Sequence, residues 1–474
     1  MKIVFVVSEA VPYVKTGGLG DVAGSLPKYL KKSGIHISLI LPFYKLIKDK
    51  KLSIEYIKEI EIEINDKKFN FKIYKDKENF LFDTFLIEND HFFLRDGIYN
   101  ENNIDYKDNH LRFGLFSLAS LKLIKDIIKP DIIHTHDWQT SFLQIYNKIF
   151  QYNFKTILTI HNLAYQGIFE KDSLFDLGLP QYLFSIDFLE FYGKVNTLKG
   201  GIIFSDLITT VSPTYSKEIQ KKEFGFGLDG VLKTRRDFLF GILNGIDYDY
   251  WNPKTDKFLY ANYNFETIEN KKINKLNLYK DLNLSFDINN PLYSMITRIT
   301  DQKGIDLLIN IFDELMRLNL NLIVLGVGDK NLENSLKELN LKYKDKFIFI
   351  NKFDEPLSHI LYAASDFFIM PSKFEPCGLS QMISLRYGTI PIVRSTGGLR
   401  DTVIEYNKNI GCGNGFVFYD YEPYEFFDAI KRSLKLFEIK EKFLKVIKIG
   451  MNSDFSWESS TEEYIKLYEY LMKK

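Results

Sequence analysis

Short apolar segments of β-forming residues alternate with longer segments of helical periodicity along most of the 474-residue chain. Continuous apolar strands separated by helices are typical of a parallel sheet that is covered on both faces. The pattern runs through the first half, is interrupted by a polar, irregular segment at 245–290, and then resumes. The chain is also longer than one hydrophobic core usually supports. The sequence therefore predicts an α/β protein with two doubly wound, Rossmann-like domains.

The apolar segments give a specific list of expected elements. Strands are predicted at 2–7, 36–41, 84–88, 131–135, 155–160 and 206–211, and again at 293–298, 321–325, 346–350, 366–370 and 389–393. Helices are predicted at 19–33, 111–128, 138–150 and 192–204, and again at 303–318, 331–341, 355–364 and 379–387. Apolar and polar residues alternate strictly on both sides of 65–68, which predicts an antiparallel hairpin at a sheet edge.

The same pattern sets the expected domain boundaries. We expect a first domain at 1–244, a linker at 245–258, a second domain at 259–455 and a final helix at 456–474 that packs back on the first domain. Ligands of open α/β sheets bind at the carboxyl ends of the strands. We therefore expect the two domains to face a central cleft that holds the ligand.

Composition narrows the class of partner. Lys and Arg total 62, as do Asp and Glu, so a zero net charge gives no support to nucleic-acid or anionic-membrane binding. No apolar run approaches the ~18 residues of a membrane span, and the first residues resemble a buried strand rather than a signal peptide. The two cysteines, Cys377 and Cys412, cannot form a disulfide framework and fit a reducing cytosol. We expect a cytoplasmic protein with a neutral partner such as a polysaccharide.

A glycine-rich motif, Lys-Thr-Gly-Gly-Leu-Gly-Asp at 15–21, follows the first predicted strand and opens a helix. Glycines let a ligand approach the backbone closely, a helix N-terminus favours an anion, and Lys15 adds positive charge. The spacing matches neither the dinucleotide fingerprint nor the P-loop. The motif is either an anion site or an ordinary strand-to-helix turn.

Histidines end two further strands of the first half. His134 and His136 are two residues apart on one strand and so share a face, yet no third ligand stands at a spacing typical of metal sites. Asp137 and Trp138 follow at the strand end. His161 follows the next strand, where a structural role and a catalytic role are both open. The segment Asn-Gly-Ile-Asp at 244–247 is a strong turn signal.

Two loops of the second half combine charge with a helix N-terminus. Arg298 and Lys303 bracket one loop, and two cations beside helix N–H groups suit a diphosphate, although a surface charge pair is the alternative. The segment Pro-Ser-Lys-Phe-Glu-Pro-Cys-Gly-Leu-Ser at 371–380 follows an apolar strand and precedes a helix. Its carboxylate, Glu375, can accept hydrogen bonds from sugar hydroxyls, or it can lie in solvent at a capped turn.

Together these motifs resemble the bacterial glycogen synthase and plant starch synthase family of retaining glycosyltransferases. The likeness runs from the motif at 15–21 through 244–247, Arg298 with 302–304, and 371–381 to Phe-Ser-Trp at 455–457. It implies a GT-B fold, ADP-glucose as donor, an α-1,4-glucan such as glycogen as acceptor at its non-reducing 4-hydroxyl, and retention at C1. It also implies that the reaction needs no metal ion and no cofactor.

The resemblance assigns roles residue by residue. It implies catalytic roles for Lys15, His161, Arg298, Lys303 and Glu375. It implies that the substrates also contact Gly17, Gly18, Asp21, Asp137, Asn244, Phe353, Cys377, Gly378, Leu379 and Ser380. Lys15 would touch the donor phosphates and the glucose, Arg298 and Lys303 would stabilise the leaving diphosphate, and Glu375 would bind glucose hydroxyls. Cys377 is expected to be a wall of the pocket rather than a nucleophile.

The sequence departs from relatives at three positions. The second glutamate found eight residues after the first in the wider retaining GT-B class is Ile383 here. A tyrosine that some relatives stack on adenine corresponds to Phe353, and another near the sugar corresponds to Phe93. The alternatives are a GT-B transferase for UDP-glucose or a small acceptor, and a non-catalytic glucan- or nucleotide-binding protein. A nicotinamide dehydrogenase is disfavoured because neither half has the dinucleotide fingerprint.

Overall fold

The computed structural model describes residues 1–79, 81–101 and 104–474. The chain forms two compact units, one made of Met1–Asn244 with Trp457–Lys474 and the other of Gly245–Ser456. Among the described residues, no helix combines the length and the apolar character that a membrane crossing requires.

The first unit is built on a nine-stranded sheet and contains small hairpins. Its strands are β1 (Lys2–Val6), β2 (His36–Pro42), β3 (Ile54–Ile64), β4 (Lys67–Asp76), β5 (Asp83–Glu88), β6 (Asn100–Glu101), β7 (Ile104–Asp105), β8 (Ile132–His136), β9 (Lys155–Ile160), β10 (Ile168–Phe169), β11 (Glu190–Phe191), β12 (Lys194–Asn196), β13 (Leu207–Thr210) and β14 (Leu239–Gly241). Its helices are α1 (Gly18–Lys32), α2 (Lys45–Lys48), α3 (Asp90–Phe93), α4 (Asn109–Leu123, continued by a π turn at Ile124–Ile128), α5 (Asp137–Ile149), α6 (Ser173–Asp176), α7 (Thr197–Phe204), α8 (Pro213–Glu218) and α9 (Asp229–Thr234).

The large sheet has the order β14-β13-β9-β8-β1-β2-β5-β4-β3. Strands β14 to β5 are parallel, and Ile3, Val4, Phe5 and Val6 of β1 are fully buried, as expected of a strand covered on both faces. β1 lies between β2 and β8. The strand that follows β1 in the chain and the later strand β8 therefore lie on opposite sides of it. A ligand site is expected at the carboxyl ends of β1 and β8, where the strand order reverses.

The predicted hairpin is confirmed at the edge of this sheet. β3 and β4 pair antiparallel from Ile64–Lys67 outwards, and β4 pairs antiparallel with β5. Asn65 and Asp66 both have positive φ, 50° and 60°. Two such residues form the turn whose twist matches the flanking strands, and Asn and Asp tolerate that conformation best after glycine.

The second unit is built on a six-stranded parallel sheet. Its strands are β15 (Leu292–Ile296), β16 (Asn321–Leu325), β17 (Phe347–Ile350), β18 (Phe367–Met370), β19 (Ile390–Arg394) and β20 (Phe416–Phe418). Its helices are α10 (Lys271–Asp281), α11 (Ile305–Asn310), α12 (Phe312–Met316), α13 (Lys330–Lys342), α14 (Glu355–Ala364), α15 (Ser380–Arg386), α16 (Gly397–Thr402), α17 (Pro423–Phe437) and α18 (Lys440–Met451).

The sheet order β17-β16-β15-β18-β19-β20 is the 3-2-1-4-5-6 order of the doubly wound nucleotide-binding fold. The order reverses between β15 and β18. The loops that follow these two strands carry Arg298 and Glu375, so the sequence order places both residues at the position where this fold binds ligands.

The final helix, α19 (Trp457–Lys473), belongs to the first unit and buries Trp457, Tyr464, Leu467 and Tyr468. The hydroxyl of Tyr468 is hydrogen-bonded to Nδ1 of His134 at 2.8 Å. The last turns of the chain therefore pack directly beneath the strand that ends at the candidate site.

The prediction of a helix at 192–204 is wrong at its start. Tyr192 and Gly193 both have positive φ and form the turn between β11 and β12. The helix begins only at Thr197, where the Asn196 side chain caps it by accepting the N–H of Lys199 at 2.9 Å. The apolar pattern extends back into the hairpin through Tyr192, which is exposed, and Val195, which is fully buried.

Two predictions in the second half also need correction. The single helix expected at 303–318 is a short turn at Asp301–Lys303 followed by α11 and α12, because Gly304 adopts a φ of 74°. The segment 245–290 is not irregular throughout, since it contains α10. That helix buries a polar face, including Lys271 and Asn274, so it lacks the apolar periodicity by which helices are recognised.

Candidate active site

Lys15 lies in the loop between β1 and α1, at the carboxyl end of the central strand of the first unit. Its Nζ donates to Oδ1 of Asp21 at 2.7 Å, and the two side chains are 38% and 33% exposed. An ion pair with this much exposure to solvent is weak, so an incoming phosphate can replace the aspartate. Gly18 begins the helix and is exposed, so its backbone is open to a ligand.

A carboxylate that the sequence reasoning missed lies beneath this loop. Glu9 is 3% exposed and accepts hydrogen bonds from the backbone N–H groups of Thr16 and Gly17. The N–H groups of Thr16 and Gly17 are therefore not available to an anion at this loop. A lone glutamate after a strand carries no sequence signal, and only the fold of the loop reveals its partners.

Asp137 follows β8 and adopts a φ of 56°, an uncommon conformation for a residue other than glycine. Its Oδ1 accepts the N–H of His161 at 2.7 Å, which ties the ends of β8 and β9 together. Burial raises the pKa of Asp137 to about 7, although the backbone N–H groups of His161 and Asn162 act in the opposite direction. Unusual backbone geometry and a perturbed carboxyl pKa are both common at functional sites.

The histidines form a buried, neutral group. His134 and His136 are fully buried and hydrogen-bonded within the core. His136 Nδ1 lies 2.9 Å from His161 Nε2, so the two rings share one proton across that contact. Burial lowers the pKa of His161 to about 3. His161 is therefore uncharged at neutral pH and can act through hydrogen bonds, but not as a cation.

Asn244 ends the first unit and is 4% exposed. Its side-chain Oδ1 has no hydrogen-bond partner in the described part of the chain. Leaving a buried acceptor unpaired costs about 1–3 kcal/mol. A ligand hydroxyl that donates to this oxygen would recover that free energy, which fits the substrate contact expected of Asn244.

Lys303 and Glu375 form a largely buried ion pair at the candidate site of the second unit. Lys303 Nζ donates to Glu375 Oε2 at 2.6 Å, and the side chains are 15% and 7% exposed. Ser372 Oγ donates to the same oxygen at 3.1 Å. Glu375 is therefore not solvated at the end of a capped turn, which was the alternative interpretation of its motif. Arg298, five residues before Lys303, is exposed.

Glycines allow three loops of the second unit to meet at this pair. A Cβ on Gly304 would lie 2.1 Å from the carbonyl oxygen of Pro371, and one on Gly397 would lie 1.9 Å from that of Glu375. The N–H of Gly398 donates to the Glu375 carbonyl at 3.1 Å. No larger residue fits at Gly304 or Gly397 without moving the loop that carries Glu375.

The remaining assigned residues of the second unit surround this motif. Cys377 is 5% exposed, as a wall residue should be, and Gly378 has a φ of 73°. Leu379 and Ser380 are partly exposed at the start of α15. Phe353 is 80% exposed, so its ring face is open to a ligand.

Phe93 does not fit the place suggested for it near the sugar. It is fully buried and packs edge-on against Tyr44 and Phe116 in the core. Tyr99, six residues later, is the aromatic residue that contacts the Lys15 region, since its hydroxyl lies 2.7 Å from Ser8 Oγ and 3.3 Å from Glu9 Oε1. Phe93 therefore belongs to the core, whereas Tyr99 contacts the residues that precede the Lys15 loop.

The structure thus brings some assigned residues together and leaves others apart. Lys15 is paired with Asp21, Asp137 with His161, and Lys303 with Glu375. In the described ranges, no group of three or more His, Cys, Asp or Glu side chains has an arrangement that could hold a metal ion.

Comparison with known proteins defines the class. Residues 2–234 match the family model of the starch synthase catalytic domain, and residues 283–447 match that of the group 1 glycosyl transferases. The catalytic domain of starch synthase IV from Arabidopsis thaliana, solved bound to ADP and acarbose, is similar with a TM-score of 0.91 and 36% identity over 100% of this chain and 99% of that one. The sucrose-phosphate synthase of Thermosynechococcus elongatus shares the fold alone, at a TM-score of 0.62 and 17% identity. The chain is a glycosyltransferase with the GT-B fold.

The particular family follows from full-length relatives. The glycogen synthase of Pseudothermotoga lettingae is 43% identical over 100% of this chain and 99% of its own length. The glycogen synthase of Alkaliphilus metalliredigens is 44% identical over 99% of this chain and 100% of its own length. The chain belongs to the glycogen synthase family.

Proposed function

We propose that this chain transfers glucose from ADP-glucose to the non-reducing 4-hydroxyl of an α-1,4-glucan, with retention of configuration at C1. Its membership of the glycogen synthase family supports the glucan product. The likeness to a starch synthase that was solved with ADP and acarbose supports an adenine nucleotide and an oligosaccharide as ligands. The single observation that carries the proposal is the buried Lys303–Glu375 pair at the switch point of the second sheet.

The charges match those that the reaction develops. Breaking the bond between C1 and the phosphate oxygen leaves positive charge on the sugar ring and negative charge on ADP. Lys303 is held in place by Glu375 before any substrate arrives, and exposed Arg298 can add a second cation. Preorganised charge of this kind is often the largest contribution to catalysis, and one oriented donor is worth about 3 kcal/mol, or about a hundredfold in rate.

Residues of several loops would hold the sugar and the phosphates of the donor. Glu375 accepts hydrogen bonds from glucose hydroxyls, and the backbone around Gly378 lies beside the phosphates. Lys15 exchanges its exposed partner, Asp21, for the donor phosphates. Asn244 contributes the buried oxygen that lacks a donor. The neutral ring of His161 and its backbone carbonyl face C1 and C6, since a cation there would oppose the developing charge on the sugar.

We favour substitution on one face of the sugar. No side chain among the assigned residues is an evident nucleophile for the opposite face, and Ile383 replaces the second glutamate of the wider class. The acceptor 4-hydroxyl attacks C1 as the phosphate leaves from the same face, and a phosphate oxygen of ADP takes the hydroxyl proton. Atoms and charge balance with glucan and ADP as the only products, so we propose that no cofactor takes part.

A comparison of two sugar-nucleotide donors in glucan elongation tests this proposal. Radiolabelled ADP-glucose and UDP-glucose are offered separately with a short α-1,4-glucan, and label in the glucan is measured together with released nucleotide. We expect ADP-glucose to transfer more label to the glucan than UDP-glucose does, with one ADP released for each glucose added. NMR should show that the new linkages are α. Transfer from UDP-glucose alone, nucleotide release without glucan growth, or β linkages would each contradict the proposal.

A further inference from the structure

Glu9 is a buried carboxylate without an ion-pair partner among the described residues. It is 3% exposed, and its four hydrogen-bond donors are the N–H groups of Thr16 and Gly17, the Thr16 hydroxyl at 3.0 Å and the Tyr99 hydroxyl at 3.3 Å. A buried charge is retained in a fold only where hydrogen bonds compensate its lost hydration. Burial nevertheless raises the pKa of Glu9 above its ordinary value, although the bonds from Thr16 and Gly17 lower it.

The donors surround one residue of the proposed reaction. Thr16 and Gly17 directly follow Lys15, so their two N–H bonds fix the backbone on which that lysine stands. The preceding residues are tied as well, since Val14 donates to Ala10 at 2.9 Å and Val11 donates to Gly20 at 3.0 Å. The chain from Glu9 to Gly20 is therefore closed on itself, with the Glu9 carboxylate in its interior.

The other side of the carboxylate is fixed by a distant segment. The Tyr99 hydroxyl contacts both Glu9 Oε1 and Ser8 Oγ, and the Tyr99 ring packs against Phe113 of α4 at a centroid distance of 5.9 Å. Oε2 of Glu9 thus accepts from the N–H groups of Thr16 and Gly17, whereas Oε1 accepts from the Tyr99 hydroxyl and also from that of Thr16. The carboxylate connects the lysine loop to the helical layer of the first unit.

The geometry points to Glu9 as the positioning residue that holds Lys15 in its working orientation, acting through the N–H groups of Thr16 and Gly17. The inference rests on the proposed function, because it gives Lys15 a task at the donor. Glu9 does not touch substrate itself, since its carboxylate is buried and its oxygens are occupied. A phosphate would meet the Lys15 ammonium and the backbone from Gly18 onwards, and not the two N–H groups that Glu9 holds.

A double-mutant cycle tests the coupling. E9Q keeps the size of the side chain but removes its charge, so the hydrogen bonds from the N–H groups of Thr16 and Gly17 lose their charge-assisted strength. We expect E9Q to lower the kcat for glucan elongation about tenfold, and K15A to lower it only about tenfold further in the E9Q background, against about a hundredfold in the wild type. E9D, which restores a carboxylate, should recover part of the lost rate.

Lys303 supplies the matched control for that cycle. It belongs to the other unit and is bonded to Glu375, so E9Q and K303A should multiply their effects. Multiplication of E9Q with K15A as well, or wild-type turnover of E9Q, would overturn the inference. A melting transition within a few degrees of the wild type shows that E9Q is folded.

Hydrogen exchange provides a readout that needs no turnover. We expect the amides of the peptide spanning Glu9 to Gly20 to exchange at least tenfold faster in E9Q, and at the wild-type rate in K15A. Unchanged protection in E9Q would overturn the inference even if activity fell. A wild-type enzyme that does not use ADP-glucose would contradict the proposed function instead, and the exchange measurement would still decide whether Glu9 holds the loop.

Discussion

Each unit presents a lysine paired with a carboxylate after a central strand of its sheet, but the two pairs differ in burial. Lys15 and Asp21 are 38% and 33% exposed, whereas Lys303 and Glu375 are 15% and 7% exposed. The exposed pair contributes little free energy and is easily exchanged for a ligand, whereas the buried pair is costly to break. The first lysine therefore needs its backbone held by another group, whereas the second is held by its own partner.

The largest expected effect is that of breaking the buried pair. K303A leaves the Glu375 carboxylate buried without its cation, which should cost about 3–5 kcal/mol of unfolding free energy, and it should lower turnover by more than about a hundredfold because the leaving diphosphate loses a cation. Glu375→Ala should lower turnover to a similar extent. Chemical denaturation and initial rates measure both. Near-normal stability of K303A would show that the two lysine sites do not differ as described.

K15A is expected to separate activity from stability. Turnover should fall about a hundredfold because an oriented cation is lost, whereas unfolding free energy should change by less than about 1 kcal/mol because the pair with Asp21 is exposed. The comparison with K303A is made by the same two measurements. A K15A protein as destabilised as K303A would remove the distinction between the two sites.

Asp137 gives the first unit a titration near neutral pH. Because burial raises its pKa to about 7, the folded protein keeps a proton that the unfolded chain releases near pH 4. Stability should therefore decline as pH rises from about 4 through about 7. Asp137→Asn removes that slope, and asparagine tolerates the positive φ at this position. Melting temperatures of the two proteins should converge at low pH and diverge towards pH 8, and parallel curves would contradict the assignment.

The smallest effect is expected at the exposed aromatic ring of the second unit. Phe353→Ala should raise the KM for ADP-glucose a few-fold and leave kcat unchanged, because stacking on the base is equally present before and in the transition state. The matched change Phe353→Tyr should leave both constants near wild type or lower KM slightly. A fall in kcat for Phe353→Ala would show that the ring takes part in the chemistry.

The sequence predicted the parts of the fold that depend on apolar periodicity. The buried strands β1 and β18 are nearly continuous apolar runs, and apolar and polar residues alternate on both sides of the turn between β3 and β4. What escaped prediction depends on polar groups that find partners far along the chain. Helix α10 is an example, because its buried Lys271 donates to carbonyls of residues about ninety positions away.

The same distinction between local sequence patterns and distant polar partners applies to the candidate site. Lys15, Lys303 and Glu375 stand in recognisable motifs, and the structure places Lys303 and Glu375 in contact. Glu9 and Tyr99 could not be identified, because their contact joins residues ninety positions apart and neither stands in a motif. The burial of Phe93 escaped prediction for a similar reason, since its sequence position does not distinguish a core aromatic residue from one that faces a ligand.

The account's main claim is that Lys15, Lys303 and Glu375 all serve the transfer of glucose from ADP-glucose. The most direct measurement is the rate of glucan elongation with radiolabelled ADP-glucose by the wild-type protein and by K15A, K303A and E375A, each confirmed to be folded. The account predicts robust elongation by the wild type and a large loss in all three variants. No incorporation from ADP-glucose by the wild type, or wild-type rates in two of the three variants, would contradict it.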